Sequence, residues 1–341
     1  MERQRATYGI LTGGGDCPGL NAVLRAAARY CTRRGVELIG YRNGWQGVIN
    51  GDSLVLDRKA VKGILPLGGT ILGTSRTDPF AVGDGIRRMR DRLEADGVEG
   101  LIVVGGNGTL SAAHELSRDG FRIMGVPKTI DNDLGGTDVT FGFDTAVNIA
   151  TAAVDRLHTT AEAHKRVIVV EVMGHHAGWI AAYAGIAGGA DVILVPEYPF
   201  DVDAVCERIA ERERRGRRFS IVVIAEGARP RDGDGTEPDR RARIRPGEIS
   251  YWLAGEIERC IDTETRTVVL GHIQRGGTPT AADRVLATRY GMRAAELAIA
   301  GEWGRMVALH GVRIVSVPLE RAVCEVKTLD SAVWEVVKAF A

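Results

Sequence analysis

The chain has 341 residues, 45% of them hydrophobic, with 44 basic and 44 acidic side chains, a length and balance suited to one large or two medium globular domains. That neutrality offers no bulk charge to nucleic acid or a membrane, though it leaves room for local basic pockets that bind small phosphorylated ligands. No apolar run of about 18 residues is present to span a bilayer, no leader-like stretch follows Met1, and Cys17, Cys31, Cys206, Cys260 and Cys324 lack any Cys-x-x-Cys spacing, so neither a zinc site nor a disulfide framework is expected and the chain reads as cytoplasmic.

Short β-rich runs alternate with longer helical stretches. Strands are expected at Tyr8 to Thr12, Glu37 to Tyr41, Gly100 to Val104, Phe121 to Val126, Arg166 to Met173, Val192 to Val195, Ser220 to Ala225 and Thr267 to Leu270, with helices such as Asn21 to Thr32, Thr145 to His164 and Thr280 to Ala300 between them. This is βαβ patterning, so the fold class is α/β with mainly parallel sheet. Ala228 to Gly247, dense in Arg, Asp, Gly and Pro, reads as a surface excursion.

The first strand runs into Leu11-Thr-Gly-Gly-Gly-Asp-Cys-Pro-Gly-Leu-Asn21. Such a glycine turn opening a helix has free N–H groups and a dipole that favour a phosphate, although a ligand-free tight turn has the same signature. A second turn, Gly105-Gly-Asn-Gly-Thr109, follows the third expected strand; there Thr109 is placed to cap the helix and touch a phosphate. Two cradles after separate strands point to a polyphosphate. Between them, Gly68 to Thr77 places Arg76 after a bend, where a guanidinium can bridge phosphates, or simply be solvated.

Lys128-Thr-Ile-Asp-Asn-Asp133 follows the run Phe121 to Val126, and a strand ending this way presents its cluster at the carboxyl edge where open α/β sheets bind ligands. In an extended segment Asp131 and Asp133 face the same side, one to take a proton and the other to help hold a cation; a solvated turn is the alternative. Further on, Glu171 to Trp179 and Val269 to Gly277 follow other β runs, and His272 with Arg275 can clamp a phosphate monoester. His175 and His176 lack an apparent third metal ligand, which favours packing or supporting roles.

The strings Leu-Thr-Gly-Gly-Gly-Asp-Cys-Pro-Gly, Gly-Gly-Thr-Ile-Leu-Gly-Thr-Ser-Arg, Gly-Gly-Asn-Gly-Thr, Pro-Lys-Thr-Ile-Asp-Asn-Asp, Glu-Val-Met-Gly-His-His-Ala-Gly-Trp, Ala-Glu-Gly and Gly-His-Ile-Gln-Arg-Gly-Gly occur in this order. Together they make the chain resemble the 6-phosphofructokinases along essentially its whole length. The resemblance implies two Rossmann-like three-layer α/β/α domains with the active site in the cleft between them. An ATP-binding domain would comprise 1–142 and about 274–324, and a sugar-phosphate domain 143–273 and about 325–341.

The implied reaction moves a phosphoryl group to the 1-hydroxyl of fructose 6-phosphate, with Asp131 as base and Thr129 and Ile130 beside the sugar. Gly14, Arg76, Thr77, Gly106, Asn107, Gly108, Thr109 and Lys128 would hold the donor, with Asn107 and Asp133 at magnesium. Met173, Gly174, His175 and Glu226 would line the sugar, and His272 and Arg275 its 6-phosphate. Arg166 and Arg266 match family arginines that reach a neighbouring subunit's site, which implies a homotetramer or at least a homodimer; Arg25, Arg29 and Arg58 match arginines that bind a phosphorylated effector.

Donor choice turns on Gly108 and Lys128. Pyrophosphate-using relatives have Asp and Lys at these positions, and many ATP enzymes have glycine at both. An absent carboxylate removes both clash and repulsion, whereas an extra ammonium attracts any polyphosphate, so ATP is expected, as in an actinobacterial-type branch of the family. Asn107 stands where the family has an acid and His175 where it has an arginine. Weaker metal binding and lower turnover follow from these changes, and a pyrophosphate enzyme, or a weakly active or non-catalytic paralogue acting on another sugar phosphate, are the alternative readings.

Overall fold

The computed structural model describes residues 6–231 and 247–340; of the expected excursion Ala228 to Gly247, residues 232–246 lie outside them. In chain order the strands are β1 Thr7–Thr12, β2 Glu37–Tyr41, β3 Ser53–Val55, β4 Val98–Gly105, β5 Ile123–Pro127, β6 Val167–Val172, β7 Val192–Leu194, β8 Ser220–Ala225, β9 Thr265–Val269, β10 Arg305–His310 and β11 Arg313–Pro318. The helices are α1 Leu20–Arg33, α2 Trp45–Asn50, α3 Gly85–Ala95, α4 Asn107–Arg118, α5 Phe143–His164, α6 Trp179–Ala187, α7 Val202–Arg214, α8 Ile249–Cys260, α9 Ala281–Ile299, α10 Glu320–Cys324 and α11 Ser331–Phe340. No helix among the described residues is long and apolar enough to cross a membrane.

Contacts divide the chain into two units. The first comprises Met1–Ile130, Leu134–Thr145 and Arg275–Val326, and the second Asp131–Asp133, Ala146–Gln274 and Lys327–Ala341.

The first unit is built on a seven-stranded sheet ordered β11-β10-β5-β4-β1-β2-β3. Its centre is parallel, as the βαβ patterning requires, and antiparallel β3 and β11 close its two edges. Leu11, Leu101, Val103 and Ile123 face one side and pack with Trp45, Met89, Leu110 and Leu319 from α2, α3, α4 and the turn before α10. Their neighbours Ile10, Ile102 and Met124 are equally buried and point to the opposite face, where α1 and α9 lie. Burial on both faces is why these strands read as unbroken apolar runs.

The second unit has a four-stranded, wholly parallel sheet ordered β7-β8-β6-β9. Val169, Val222, Ile224 and Leu194 pack with Val205 and Ile209 of α7 and Leu253 and Ile257 of α8. Strands β3, β10 and β11 escaped the sequence reading. They are short or mixed in composition, and only their pairing makes them strands: β3 on β2 and β11 on β10 at the two edges, and β10 between β5 and β11.

Candidate active site

Within the first unit, three loops leave the carboxyl ends of β1, β4 and β5 and meet. After β1, the Gly13 N–H donates to Val104 O at 2.9 Å, and Gly14 donates to Ser75 O at 3.0 Å while its own carbonyl accepts from Thr74 Oγ1 at 2.6 Å. The loop carrying Arg76 and Thr77 is thereby stitched to the first glycine turn. Gly14 has φ +78°, a conformation open to glycine at little steric cost. Arg76 is exposed, and Thr77 accepts from Ser75 Oγ at 3.0 Å.

Helix α4 opens the second turn. Its N-cap is Gly106, with no side-chain cap, and Thr109 lies inside the first turn of the helix. Thr109 is buried; a Cβ on Gly13 would come within 2.7 Å of it, and one on Gly105 within 2.4 Å. The expected capping role is therefore not what Thr109 does: it is a wedge that the two glycines are needed to admit. Asn107 is exposed and accepts from Ser111 Oγ at 3.3 Å. Gly108 is exposed, and a Cβ there would meet nothing within 4 Å.

Buried Lys128, just past β5, donates to the carbonyl of Gly15. A Cβ on Gly14 would lie 3.5 Å from its ammonium, and one on Gly15 would lie 2.8 Å from Arg275 Nη1, which also donates to Asp16 O at 3.5 Å. Two cations thus flank the first glycine turn. Arg275, expected on the sugar's phosphate, lies against this turn here. His272, on the same short 3-10 helix Gly271–Arg275, is exposed and belongs to the second unit. Thr129 and Ile130 are buried, and the Thr129 carbonyl accepts from Thr140 Oγ1 at 2.8 Å.

Asp131 is buried at 7% exposure, and Asp133 is partly exposed. The expectation that both face one side of an extended segment does not hold, because Asn132 between them has φ +54° and breaks the alternation. Asparagine tolerates this left-handed conformation better than most residues. It is fixed by Lys327, whose Nζ donates to Asn132 Oδ1 at 2.9 Å and whose N–H donates to Asp133 O at 2.9 Å. Lys327 itself is seated by Trp179, which donates to its carbonyl at 3.1 Å and lies under its ammonium. The tether ties 131–133 to the second unit, and nothing in the sequence around Lys327 announced it.

In the second unit, Met173, Gly174 and His175 follow β6, and Glu226 follows β8. The His175 N–H donates to Glu226 Oε1 at 3.0 Å, and the Met173 N–H to buried Gln274 Oε1 at 3.4 Å. His175 has φ +53°, a strained state of the kind found at functional sites, and its ring lies against His176 with centroids 3.8 Å apart. Gly227 makes this turn possible, since a Cβ there would sit 2.0 Å from the His175 carbonyl. Gln274 and Gly227 are supporting residues that the motif reading passed over.

Arg166 and Arg266 lie elsewhere in this unit. Arg166 directly precedes β6, and Arg266 pairs with Ile168 near its start. Both arginines hydrogen-bond to Glu264. Met173 follows the other end of β6, so a six-residue strand, roughly 20 Å long, separates the arginine pair from the Met173–Glu226 cluster. Among the arginines matched to an effector, Arg25 and Arg29 are half-buried on α1, and Arg58 is exposed. No group of three or more His, Cys, Asp or Glu side chains able to hold a metal occurs among the described residues.

Two α/β units that present glycine turns, lysine and arginine, and a buried aspartate at the carboxyl ends of parallel strands define a phosphate-handling protein of the kinase type. The chain belongs to the phosphofructokinase family, whose model, described as "Phosphofructokinase", matches residues 7–298. It is 55% identical to the pyrophosphate--fructose 6-phosphate 1-phosphotransferase of Streptomyces coelicolor, over 97% of this chain and 98% of that protein. To the ATP-dependent 6-phosphofructokinase 3 of the same organism it is 53% identical, over 95% of this chain and 96% of that protein. Among solved structures, phosphofructokinase from Saccharomyces cerevisiae superposes with a TM-score of 0.82 at 30% identity; the match covers 98% of this chain and 47% of the yeast chain, so this protein spans about half that length. The α/β fold and the family resemblance are borne out, and phosphofructokinase activity goes with them. The two Streptomyces relatives differ in the phosphoryl donor that their names carry.

Proposed function

We propose that the protein transfers the terminal phosphoryl group of ATP to the 1-hydroxyl of fructose 6-phosphate. The observation that carries the donor assignment is the open space at Gly108 in the first turn of α4. Without a side chain or charge there, a nucleotide's inner phosphate can lie against the helix N-terminus, where free N–H groups and the dipole favour it. Gly14, Gly106, Thr77 and Arg76 contribute further donors, and Lys128 adds positive charge beside Gly14.

Asp131 is the base. Its carboxylate accepts the proton of the sugar hydroxyl as the oxygen attacks the donor's phosphorus, and the partly burying loop limits competition from water. Thr129 and Ile130 hold the sugar beside it, and Met173, Gly174, His175 and Glu226 line the acceptor. Asp133 and the Asn107 carboxamide are hard oxygen ligands, too few for an all-protein cage but suited to magnesium that arrives with the donor phosphates. When bound, that ion neutralises charge on the donor phosphates.

The separation of Arg166 and Arg266 from the Met173–Glu226 cluster supports their service to another copy's sugar phosphate, hence a homodimer or homotetramer. A pyrophosphate donor is the second reading. It is favoured by Lys128 next to Gly14 and by the 55% identical pyrophosphate-named relative.

A coupled assay on fructose 6-phosphate with ATP and pyrophosphate in parallel, at saturating magnesium, separates the readings. ATP is expected to give the higher kcat/KM; a higher value with pyrophosphate refutes the donor assignment. Asp131→Asn removes the base and keeps the shape. It should lower kcat by about 10² to 10⁴ with either donor, and a variant of full activity removes Asp131 from the mechanism.

A further inference from the structure

Glu264 has no role in the site described so far, yet both of its carboxylate oxygens are occupied. Oε2 accepts from Arg166 Nε and Oε1 from Arg266 Nη2. Arg266 Nη1 also donates to the Thr265 carbonyl at 3.2 Å. The backbone sets up this meeting: β6 and β9 pair in parallel with Val167 opposite Thr265 and Ile168 opposite Arg266, while the Val167 N–H donates to the Glu264 carbonyl at 3.1 Å. The two arginines therefore emerge from neighbouring strands with the glutamate between them. All three side chains remain partly exposed, at 29% for Arg166, 41% for Glu264 and 56% for Arg266. Desolvation acts to raise the Glu264 carboxyl, but the hydrogen bond and charge of Arg166 and those of Arg266 outweigh it and hold the group below its usual value, so it is an anion near neutral pH.

An arginine carries five N–H donors in a planar fork. Tethering one N–H of Arg166 and one from each of two nitrogens of Arg266 leaves most donors of both guanidiniums available. It also removes much of the rotamer freedom that two long side chains would otherwise lose on binding a ligand. The group keeps a net positive charge, since two cations meet one anion.

We propose that Glu264 is a positioning residue that holds Arg166 and Arg266 side by side as a preformed clamp for the dianionic phosphate monoester of a sugar phosphate. The inference rests on the reading above that these arginines serve the sugar phosphate of another copy. Glu264 does not touch the phosphate; it acts through the arginines, so its loss weakens recognition of the phosphate without altering chemistry on the donor side.

The test is steady-state kinetics of the full-length oligomer, with assembly checked by sedimentation and folding by thermal melting. Arg166→Ala and Arg266→Ala test the underlying reading: each should raise the KM for fructose 6-phosphate at least tenfold and leave the donor KM unchanged. Glu264→Gln keeps the shape but places an amide donor against a guanidinium. It should raise the same KM about five- to twentyfold, with kcat within about threefold of the parent, and Glu264→Asp should recover part of the loss. In the double variant with Arg166→Ala, Glu264→Gln should add far less than it does alone. If the arginine variants raise the KM and Glu264→Gln leaves it unchanged, the positioning role fails by itself; if neither arginine matters, the reading beneath it fails. Should Glu264→Gln not assemble, Glu264→Asp, one methylene short of reaching both partners, must still raise the KM, and an unchanged value overturns the proposal.

Discussion

Replacing Gly108 by aspartate isolates the feature on which donor choice is argued. A Cβ at this position meets nothing within 4 Å, and the residue is the second of α4, after Asn107. The fold therefore loses nothing: aspartate is no worse than glycine in helix propensity, and a carboxylate in the first helical turn adds about 0.3–1 kcal/mol through the dipole. The effect falls on the ligand. A new anion about 4 Å from a nucleotide's inner phosphate is repelled by about 4 kcal/mol at an effective dielectric of roughly 20. Gly108 is exposed, so water screens part of this, and about 1.5–3 kcal/mol remains, a loss of roughly ten- to 150-fold in kcat/KM for ATP. Gly108→Asn, equal in size but neutral, separates charge from bulk. Initial rates with ATP and pyrophosphate on parent, G108N and G108D give the answer: ATP use should fall most in G108D, less in G108N, and pyrophosphate use least of all. Equal losses for both donors, or an unchanged ATP rate in G108D, refute the argument, and a melting temperature that does not fall shows that loss of the fold is not the cause.

Gly227→Ala is the opposite kind of glycine change, because its Cβ would lie 2.0 Å from the His175 carbonyl. The turn must move, which costs about 1–3 kcal/mol in denaturant melts and should raise the KM for the sugar phosphate with little change for the donor. Asp283 accepts from the N–H groups of Gly142 and Thr145 at 2.8 Å and from Thr145 Oγ1 at 2.5 Å, while its burial, the largest influence, raises its carboxyl above the usual value despite those bonds. Asp283→Asn faces an amide donor to a backbone N–H or hydroxyl and should destabilise the fold by about 1–3 kcal/mol. Because the folded state holds that proton more tightly, the parent's advantage over the variant should shrink as pH rises from about 3.9 through the folded value and stay level above it; stability curves that differ by a constant contradict this. Asn107→Asp restores a carboxylate at the start of α4 and should lower the magnesium concentration giving half-maximal rate, as read from magnesium titrations.

Much of the site was legible because its chemistry is carried by consecutive residues. Gly13 to Asp16, Gly105 to Thr109 and Lys128 to Asp133 each occupy one turn after a strand, and local order alone puts them at the carboxyl edge of a parallel sheet. The roles of individual side chains inside those turns were less legible. Thr109 is of a residue type that caps helices but is the third residue of α4, inside its first turn, while Gly106 holds the cap position. Asp131 and Asp133 share a face only if Asn132 is extended, and a lysine 195 residues away along the chain holds it otherwise.

The sequence by itself determined the α/β class, the order of its main strands and the family, since hydrophobic periodicity and contiguous motifs are properties of neighbours along the chain. Tertiary structure decided the rest. It alone brought Lys128 and Arg275 to the first glycine turn, joined Arg166 and Arg266 through Glu264, grouped 131–133 with the second unit through Lys327, and made β10 and β11 strands by pairing β10 with β5 and β11 with β10. Each of those outcomes depends on partners distant in sequence, whose pairing is set by packing and hydrogen-bond geometry rather than by any local pattern.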